Sequence, residues 1–255
     1  MRRAALPLLV LAALPATAAA DAPEDWRPHV NEARAYAVSR LGEVSFAVRT
    51  EEDFWTFRPD RVVHSASVIK AMFMVAYLNR AGVRDRPLRP AARSLLSRMI
   101  RRSDNNAATA IRNIVGNGAL VRLAHRAHMT RFFPHPIWGL SHITARDQTR
   151  LFLAIEDFIP ERHRATAMTL LRTIVPEQRW GIARARPSNW KLYFKGGWGS
   201  GTGAVDHQVA QLRRGKLRVA VAIMTTGNPS HAYGKATLEG VARRLLKGLN
   251  AVEPA

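Results

Sequence analysis

Stretches with the two-residue alternation of a β-strand lie near the two ends of this chain, with about 120 residues of mainly helical pattern between them. That distribution limits the fold more than any other feature. Residues 44–49 alternate, and residues 54–57 follow after the polar turn Glu51, Glu52, Asp53, so the pair predicts a hairpin. Residues 192–198, 207–212 and 217–224 predict three more strands, joined by Gly-rich turns at 199–203 and 213–215. Two strands early and three late imply one five-stranded antiparallel sheet completed from both ends of the chain, an α/β (α+β) fold with helices on both faces. The helical block is then an insertion. Residues 21–66 plus 188–255 are expected to form the α/β lobe, and 67–187 a helical lobe.

Within the block, Pro87 and Pro90, then Ser103 to Asn106, then Gly116 to Gly118 mark helix boundaries. Residues 130–142, rich in proline and aromatic side chains, predict a long loop over a site. Thr144 and Asp147 have capping-box spacing before a helix through Leu151, Leu153 and Ile155, and another helix is expected over 162–174. Terminal helices are expected over 26–41 and 235–249.

The first twenty residues have the pattern of a secretory signal: Arg2 and Arg3, an apolar run from Ala4 to Leu14, and Ala18 to Ala20 before Asp21. Cleavage after Ala20 leaves 235 of the 255 residues, no transmembrane span, and a protein that is secreted or resides in the periplasm or cell envelope. There is no cysteine, which excludes disulfides, thiolate catalysis, cysteine zinc sites and a lipoprotein anchor. The formal charge falls from +20 to +18 once Arg2 and Arg3 are removed, so anionic neighbours such as cell-wall polymers are candidate partners. Arginine supplies 33 of the 39 basic residues, which also fits the coding bias of a GC-rich genome. The basic residues are scattered through helices, so nucleic acid is not expected as a partner. A monomer is expected.

One stretch carries chemistry. Ser67 and Lys70 stand three residues apart at the start of an apolar helical run through Met72, Phe73, Val75, Ala76 and Leu78. On a helix they share a face, so the amine can lie within reach of the hydroxyl it would activate. The unpaired N–H groups and positive dipole end of a first helical turn disfavour a second positive charge and push the lysine pKa down. A neutral lysine can accept a proton. By itself, a serine before an apolar helix is more often a cap and the lysine a solvated charge.

Two further patterns follow in order: Ser103-Asp104-Asn105, and Lys195-Gly196-Gly197. With Ser67 to Lys70 they resemble the three motifs of the penicillin-recognising serine hydrolases, most closely the class A β-lactamases. Residues 95–107 are similar to that family's helix entering its second motif, and 222–227 to its last strand. The resemblance spans nearly the whole mature chain and implies a β-lactamase/transpeptidase-like fold. It also implies roles. Ser67 would attack an acyl carbonyl and Lys70 would take its proton. Ser103 would relay a proton to the departing nitrogen, and Asn105 would hold the substrate amide and orient Lys70. Lys195 would add positive field near Ser103 and help hold a substrate carboxylate. The backbone N–H groups of Ser67 and Trp198 would form the oxyanion hole, and Gly196 and Gly197 would leave room for substrate along their strand.

The sequence departs from the family pattern twice. Gly196 stands where the family has a hydroxyl residue, which removes a hydrogen bond to a β-lactam carboxylate. The loop after the second motif lacks the deacylating glutamate, and Asp147 is the only acidic residue between Asn105 and Ile155. His135 and His142 are candidate substitutes or packing groups. His125 and His128 have no third ligand placed by sequence, so neither metal nor cofactor is expected. His64, Trp138 and Trp198 can each line a pocket or pack in the core.

The expected protein is an exported serine hydrolase acting through a Ser67 acyl-enzyme on an amide, peptide or ester, with a small-molecule or peptidoglycan-like substrate and slow deacylation of β-lactams. The alternatives are a non-catalytic binding module for envelope polymers on the same fold, and a true β-lactamase with a different deacylation base.

Overall fold

The computed structural model describes residues 26–251. The expected signal segment and its cleavage site lie outside them. Chain order runs α1 (Val30–Val38), β1 (Glu43–Arg49), β2 (Phe54–Phe57), β3 (Val63–His64), a 3-10 turn (Ala66–Ile69), α2 (Lys70–Leu78), α3 (Pro90–Arg101) and α4 (Asn105–Arg126). A 3-10 turn (Trp138–Leu140), β4 (His142–Ile143), α5 (Ala145–Leu153), α6 (Glu161–Arg172) and α7 (Ile182–Ala185) follow. The chain closes with β5 (Lys191–Gly199), β6 (Val205–Arg214), β7 (Leu217–Thr226) and α8 (His231–Leu245).

The five long strands form one antiparallel sheet in the order β2-β1-β7-β6-β5. Its centre is where the two ends of the chain meet: β1 pairs with β7, with Phe46 opposite Ile223 and Val48 opposite Val221. β7 is buried over nearly its whole length, so both of its faces need cover. α8, packed with α1, supplies one cover and α5 the other. Trp26 Nε1 donates to Lys247 O at 2.9 Å and Trp190 Nε1 to Leu249 O at 3.0 Å, which fixes the chain end against the sheet.

Several helix boundaries differ from the sequence reading. α1 begins only after Pro28, which cannot donate into a preceding turn, and stops at Val38, so Leu41 is exposed. α8 begins four residues earlier than periodicity suggests because Ser230 Oγ accepts from Tyr233 N and caps it. The break expected at 116–118 is present: Gly116, at φ 69° and ψ 166°, is non-helical and divides α4 into two helices that meet at a kink.

α2 is buried on every side, all nine residues included. A helix apolar all round belongs at the centre of a molecule, and this one packs beside α3 and α4, while the turn leading into it packs against β5. Lys70 is its first residue, so this packing holds the amine of Lys70 away from water.

Candidate active site

Three segments converge at the N-terminal end of α2. The first is the 3-10 turn carrying Ser67, which leads directly into Lys70. It starts from Ala66 at φ 43°, a left-handed conformation that costs a non-glycine residue energy and that surrounding contacts must impose. Ser65 N donates to Ser141 O at 2.8 Å, and β3 pairs with β4, so the strand entering the turn is tied to the 130–142 loop. The second segment is the α3–α4 connection, where Ser103 is also left-handed at φ 56°. Asp104 Oδ1 caps α4 by accepting from Ala107 N at 2.7 Å, which turns Ser103 and Asn105 inward. The third is β5, the sheet edge.

Lys70 Nζ donates to Ser103 O at 2.6 Å, to Asn105 Oδ1 at 2.7 Å and to Ser103 Oγ at 3.2 Å. Lys195 Nζ donates to the same Ser103 Oγ at 3.1 Å and to Gly196 O at 2.7 Å. Two fully buried lysines thus bracket one hydroxyl. Burial drives the pKa of Lys70 down to about 7, partly offset by the charge of Asp104. Burial, with the charge of Lys70 adding to it, pushes Lys195 well below the usual lysine range. One of the pair can therefore be neutral near neutral pH. The direct Ser67–Lys70 hydrogen bond suggested by the spacing is not among the bonds formed by the described residues, because the lysine donors are taken by Ser103 and Asn105. Ser67 Oγ is left available.

At Gly196 and Gly197, the glycines expected to leave room for substrate along the strand, the side-chain positions themselves are flanked by protein. A β-carbon on Gly197 would lie 2.7 Å from Ser67 N and 2.8 Å from Val68 N. The missing side chain lets β5 press its backbone against the turn that carries Ser67. On the opposite face, a β-carbon on Gly196 would meet the indole of Trp180 at 3.4 Å. Trp180 was invisible as a site residue in sequence, because it sits in an irregular segment with no motif.

Trp138 forms a wall. Its ring centroid lies 4.9 Å from Lys70 Nζ, it packs edge-on against Phe73, and its Nε1 donates to Thr109 Oγ1 at 3.1 Å. Trp198, next to Gly197, stacks on His231 instead.

The remaining candidate bases are occupied elsewhere. Asp147 is buried, and its two oxygens accept from Thr130 N at 3.0 Å and Arg131 N at 2.8 Å, so it clamps the start of the loop. Thr144 Oγ1 caps α5 by accepting from Asp147 N, but Asp147 does not return the bond as a capping box would. His135 Nδ1 accepts from Ile137 N within its own loop. His142 stacks on His64 and lies tilted against Phe133. His207, behind His64, is driven to about 4 by burial and is therefore neutral; its Nε2 donates to His64 O and its Nδ1 accepts from Thr225 N. Among the described residues no group of three or more His, Asp or Glu side chains could hold a metal ion, and no helix is long and apolar enough to cross a membrane.

The family described as the beta-lactamase enzyme family matches residues 82–249, a range that includes Ser103, Asn105 and Lys195 and starts after Ser67 and Lys70. Among solved structures, the chain is similar to the beta-lactamase from Sphaerobacter thermophilus DSM 20745, at 18% identity and TM-score 0.74 over 89% of this chain and 98% of that one. It is similar to PBP-A at 16% identity and TM-score 0.75, over 88% of this chain and 96% of that one. A beta-lactamase from Desulfarculus baarsii DSM 2075 matches at 20% identity and TM-score 0.67, over 84% and 96%. A mutant of PBP-A has been solved as an acyl-enzyme complex with penicillin-G. No curated protein matches.

Proposed function

The chain belongs to the beta-lactamase enzyme family, and from that premise we propose that it is an exported serine hydrolase that forms an acyl-enzyme on Ser67 and releases it slowly from β-lactams. The observation that carries the reading is the shared hydroxyl of Ser103, bracketed by Lys70 Nζ at 3.2 Å and Lys195 Nζ at 3.1 Å.

In the proposed reaction, neutral Lys70 takes the proton of Ser67 as Oγ attacks an acyl carbonyl. A lysine lowered to about 7 is suited to this, since a base works best with a pKa near the operating pH. The carbonyl oxygen becomes an oxyanion held by the N–H groups of Ser67 and Trp198, each worth ~3 kcal/mol in the transition state. The proton then passes from Lys70 to Ser103 Oγ and on to the leaving nitrogen or oxygen, while Lys195 stabilises the relay from the other side. Asn105, bonded to Lys70, fixes the amine and faces the substrate amide.

Deacylation needs a base that activates water. Asp147, with both oxygens engaged by backbone amides, is committed to holding the loop, and the His135 ring nitrogen is turned onto its own loop. The acyl-enzyme therefore persists. PBP-A, a relative in fold whose mutant is solved as a penicillin-G acyl-enzyme, supports reading this chain in the same way. The natural substrate is then an amide, peptide or ester of the cell envelope.

Intact-protein mass after mixing with a penicillin and with an activated ester tests the reading, with Ser67→Ala beside the wild type. A stable adduct on the wild type alone is expected. Absence of both an adduct and Ser67-dependent consumption for each reagent sinks it.

A further inference from the structure

Across the β5–β6 pair, Gly196 stands opposite Gln208 and Trp198 opposite Asp206. The two-residue period puts these four positions on one face of the sheet, and puts Gly197, which abuts the Ser67 turn, on the other. The first face holds a cluster of three rings. Trp180, Trp198 and His231 lie with centroids 5.5–5.8 Å apart; Trp198 and His231 are stacked at 27°, and Trp180 stands edge-on to both.

The cluster is held from behind by polar groups. His231 Nδ1 lies 2.5 Å from Asp206 Oδ1, and Asp206 Oδ2 accepts from Asn228 Nδ2 at 3.1 Å. Asp206 is buried at the start of α8, and only glycine at 234 admits it, since a β-carbon there would stand 2.0 Å from Asp206 Oδ2. Gln208 donates to Trp180 O at 2.8 Å and accepts from Ile182 N at 2.7 Å, fixing the segment that carries Trp180. The His231 side chain is still 41% exposed, and no described residue hydrogen-bonds its Nε2. A ring so firmly positioned, with one polar edge left open beside the strand that abuts Ser67, is built as a recognition surface.

We propose that Trp198 and His231, packed against the buried indole of Trp180, form a substrate subsite that takes an uncharged ring bearing a hydroxyl. This rests on Ser67 being the nucleophile. The exposed aromatic surface of Trp198 and His231 selects a ring. With Nδ1–H held by a carboxylate, Nε2 is left as an acceptor for a substrate hydroxyl. Charge selects against an anionic group: Asp206 backs the histidine, and the Lys195 amine is turned to the opposite face, engaged with Ser103 and Gly196 O. Lys235, one turn along α8, lies with Arg179 and Arg184 around the adjoining cavity, where Glu177 and Glu239 offset them.

The test compares acetyl esters of meta-(hydroxymethyl)phenol and of meta-hydroxybenzoate, whose leaving groups are similar in basicity but differ in charge, on the full chain. Trifluoroethyl acetate serves as a ringless probe. Acylation of Ser67, followed by intact mass, is expected to be about tenfold faster for the neutral ring ester than for the anionic one. Trp198→Ala and His231→Ala should each bring that ratio towards one; because it is a ratio within one variant, it does not depend on the fraction folded. Equal or reversed rates in the wild type, or a ratio unmoved in both variants, overturn the subsite. Trifluoroethyl acetate separates the two levels: labelling of Ser67 without a ring preference removes the subsite alone, whereas no labelling by any probe removes the nucleophile and the subsite together.

Discussion

The indole of Trp180 fills the space that a side chain at Gly196 would need, with Cη2 3.4 Å and Cζ2 3.6 Å from the position of a β-carbon there. The glycine that replaces the family's hydroxyl residue is thus half of a packed pair. Gly196→Thr should destabilise the fold by ~1–3 kcal/mol through overpacking. Trp180→Ala should cost ~3–5 kcal/mol through the cavity it leaves. The double variant should cost clearly less than the sum, since each change relieves the other. Urea melts of the four proteins decide it; strict additivity would mean that the two side chains do not share the space.

Gly197 faces the other way and touches backbone, which cannot swing aside. A β-carbon 2.7 Å from Ser67 N forces β5 and the Ser67 turn apart. Gly197→Ala is therefore expected to slow acylation of Ser67 by about a hundredfold or more, the scale of misplacing an oxyanion donor. Circular dichroism should show the fold retained. Acylation at the wild-type rate would show that the close approach is not needed.

Much of this arrangement was legible in sequence and some of it was not, for physical reasons. The sheet could be read because the alternation in residues 44–49 and 217–224 follows from a two-residue period; that β1 lies against β7 is set by tertiary packing and emerges only in the structure. Ser67, Lys70, Ser103, Asn105 and Lys195 could be read because each sits in a short local pattern. Trp180, Asp206 and His231 belong to no pattern. Their pairing depends on segments 25 to 51 positions apart meeting through tertiary contacts, which no local propensity encodes. Asp147 had the spacing of a capping residue, but it faces the loop before it, because two orphan amides at Thr130 and Arg131 compete for its carboxylate.

Acylation should follow the titration of Lys70. The base form of the amine is needed, and burial sets its pKa at about 7. The second-order rate of adduct formation with a neutral ester is expected to rise about tenfold per pH unit below pH 7 and to level off above it. A profile flat from pH 5 to 9 would remove Lys70 as the base.

Both buried lysines bear on stability in one direction. Their folded pKa values lie below the ordinary lysine value of 10.5, so between about 7 and 10.5 the unfolded chain binds more protons than the folded one. Stability therefore rises with pH across that window. The cost of keeping an amine dry is largest on the acid side, where Lys70 must carry its charge. Lys195→Met should raise the melting temperature more at pH 6 than at pH 9, because it removes an amine whose protonation is opposed by burial and by the charge of Lys70 and so costs most on the acid side. A variant that melts lower than wild type by the same margin at both pH values would contradict this.

Asp147 separates a structural role from a chemical one. Its carboxylate accepts from two backbone amides, and asparagine can accept with only one of its two side-chain atoms. Asp147→Asn should therefore cost ~1–3 kcal/mol in stability by leaving a buried N–H unpaired. It should also raise hydrogen exchange at residues 130–131. The lifetime of the Ser67 adduct should stay the same or shorten as a loosened loop admits water. If Asp147 were instead the group that activates water, the same variant would make the adduct longer-lived. Adduct mass followed over time after removal of excess penicillin distinguishes the two, and a lengthened lifetime would make this loop the deacylation apparatus and the chain a true β-lactamase.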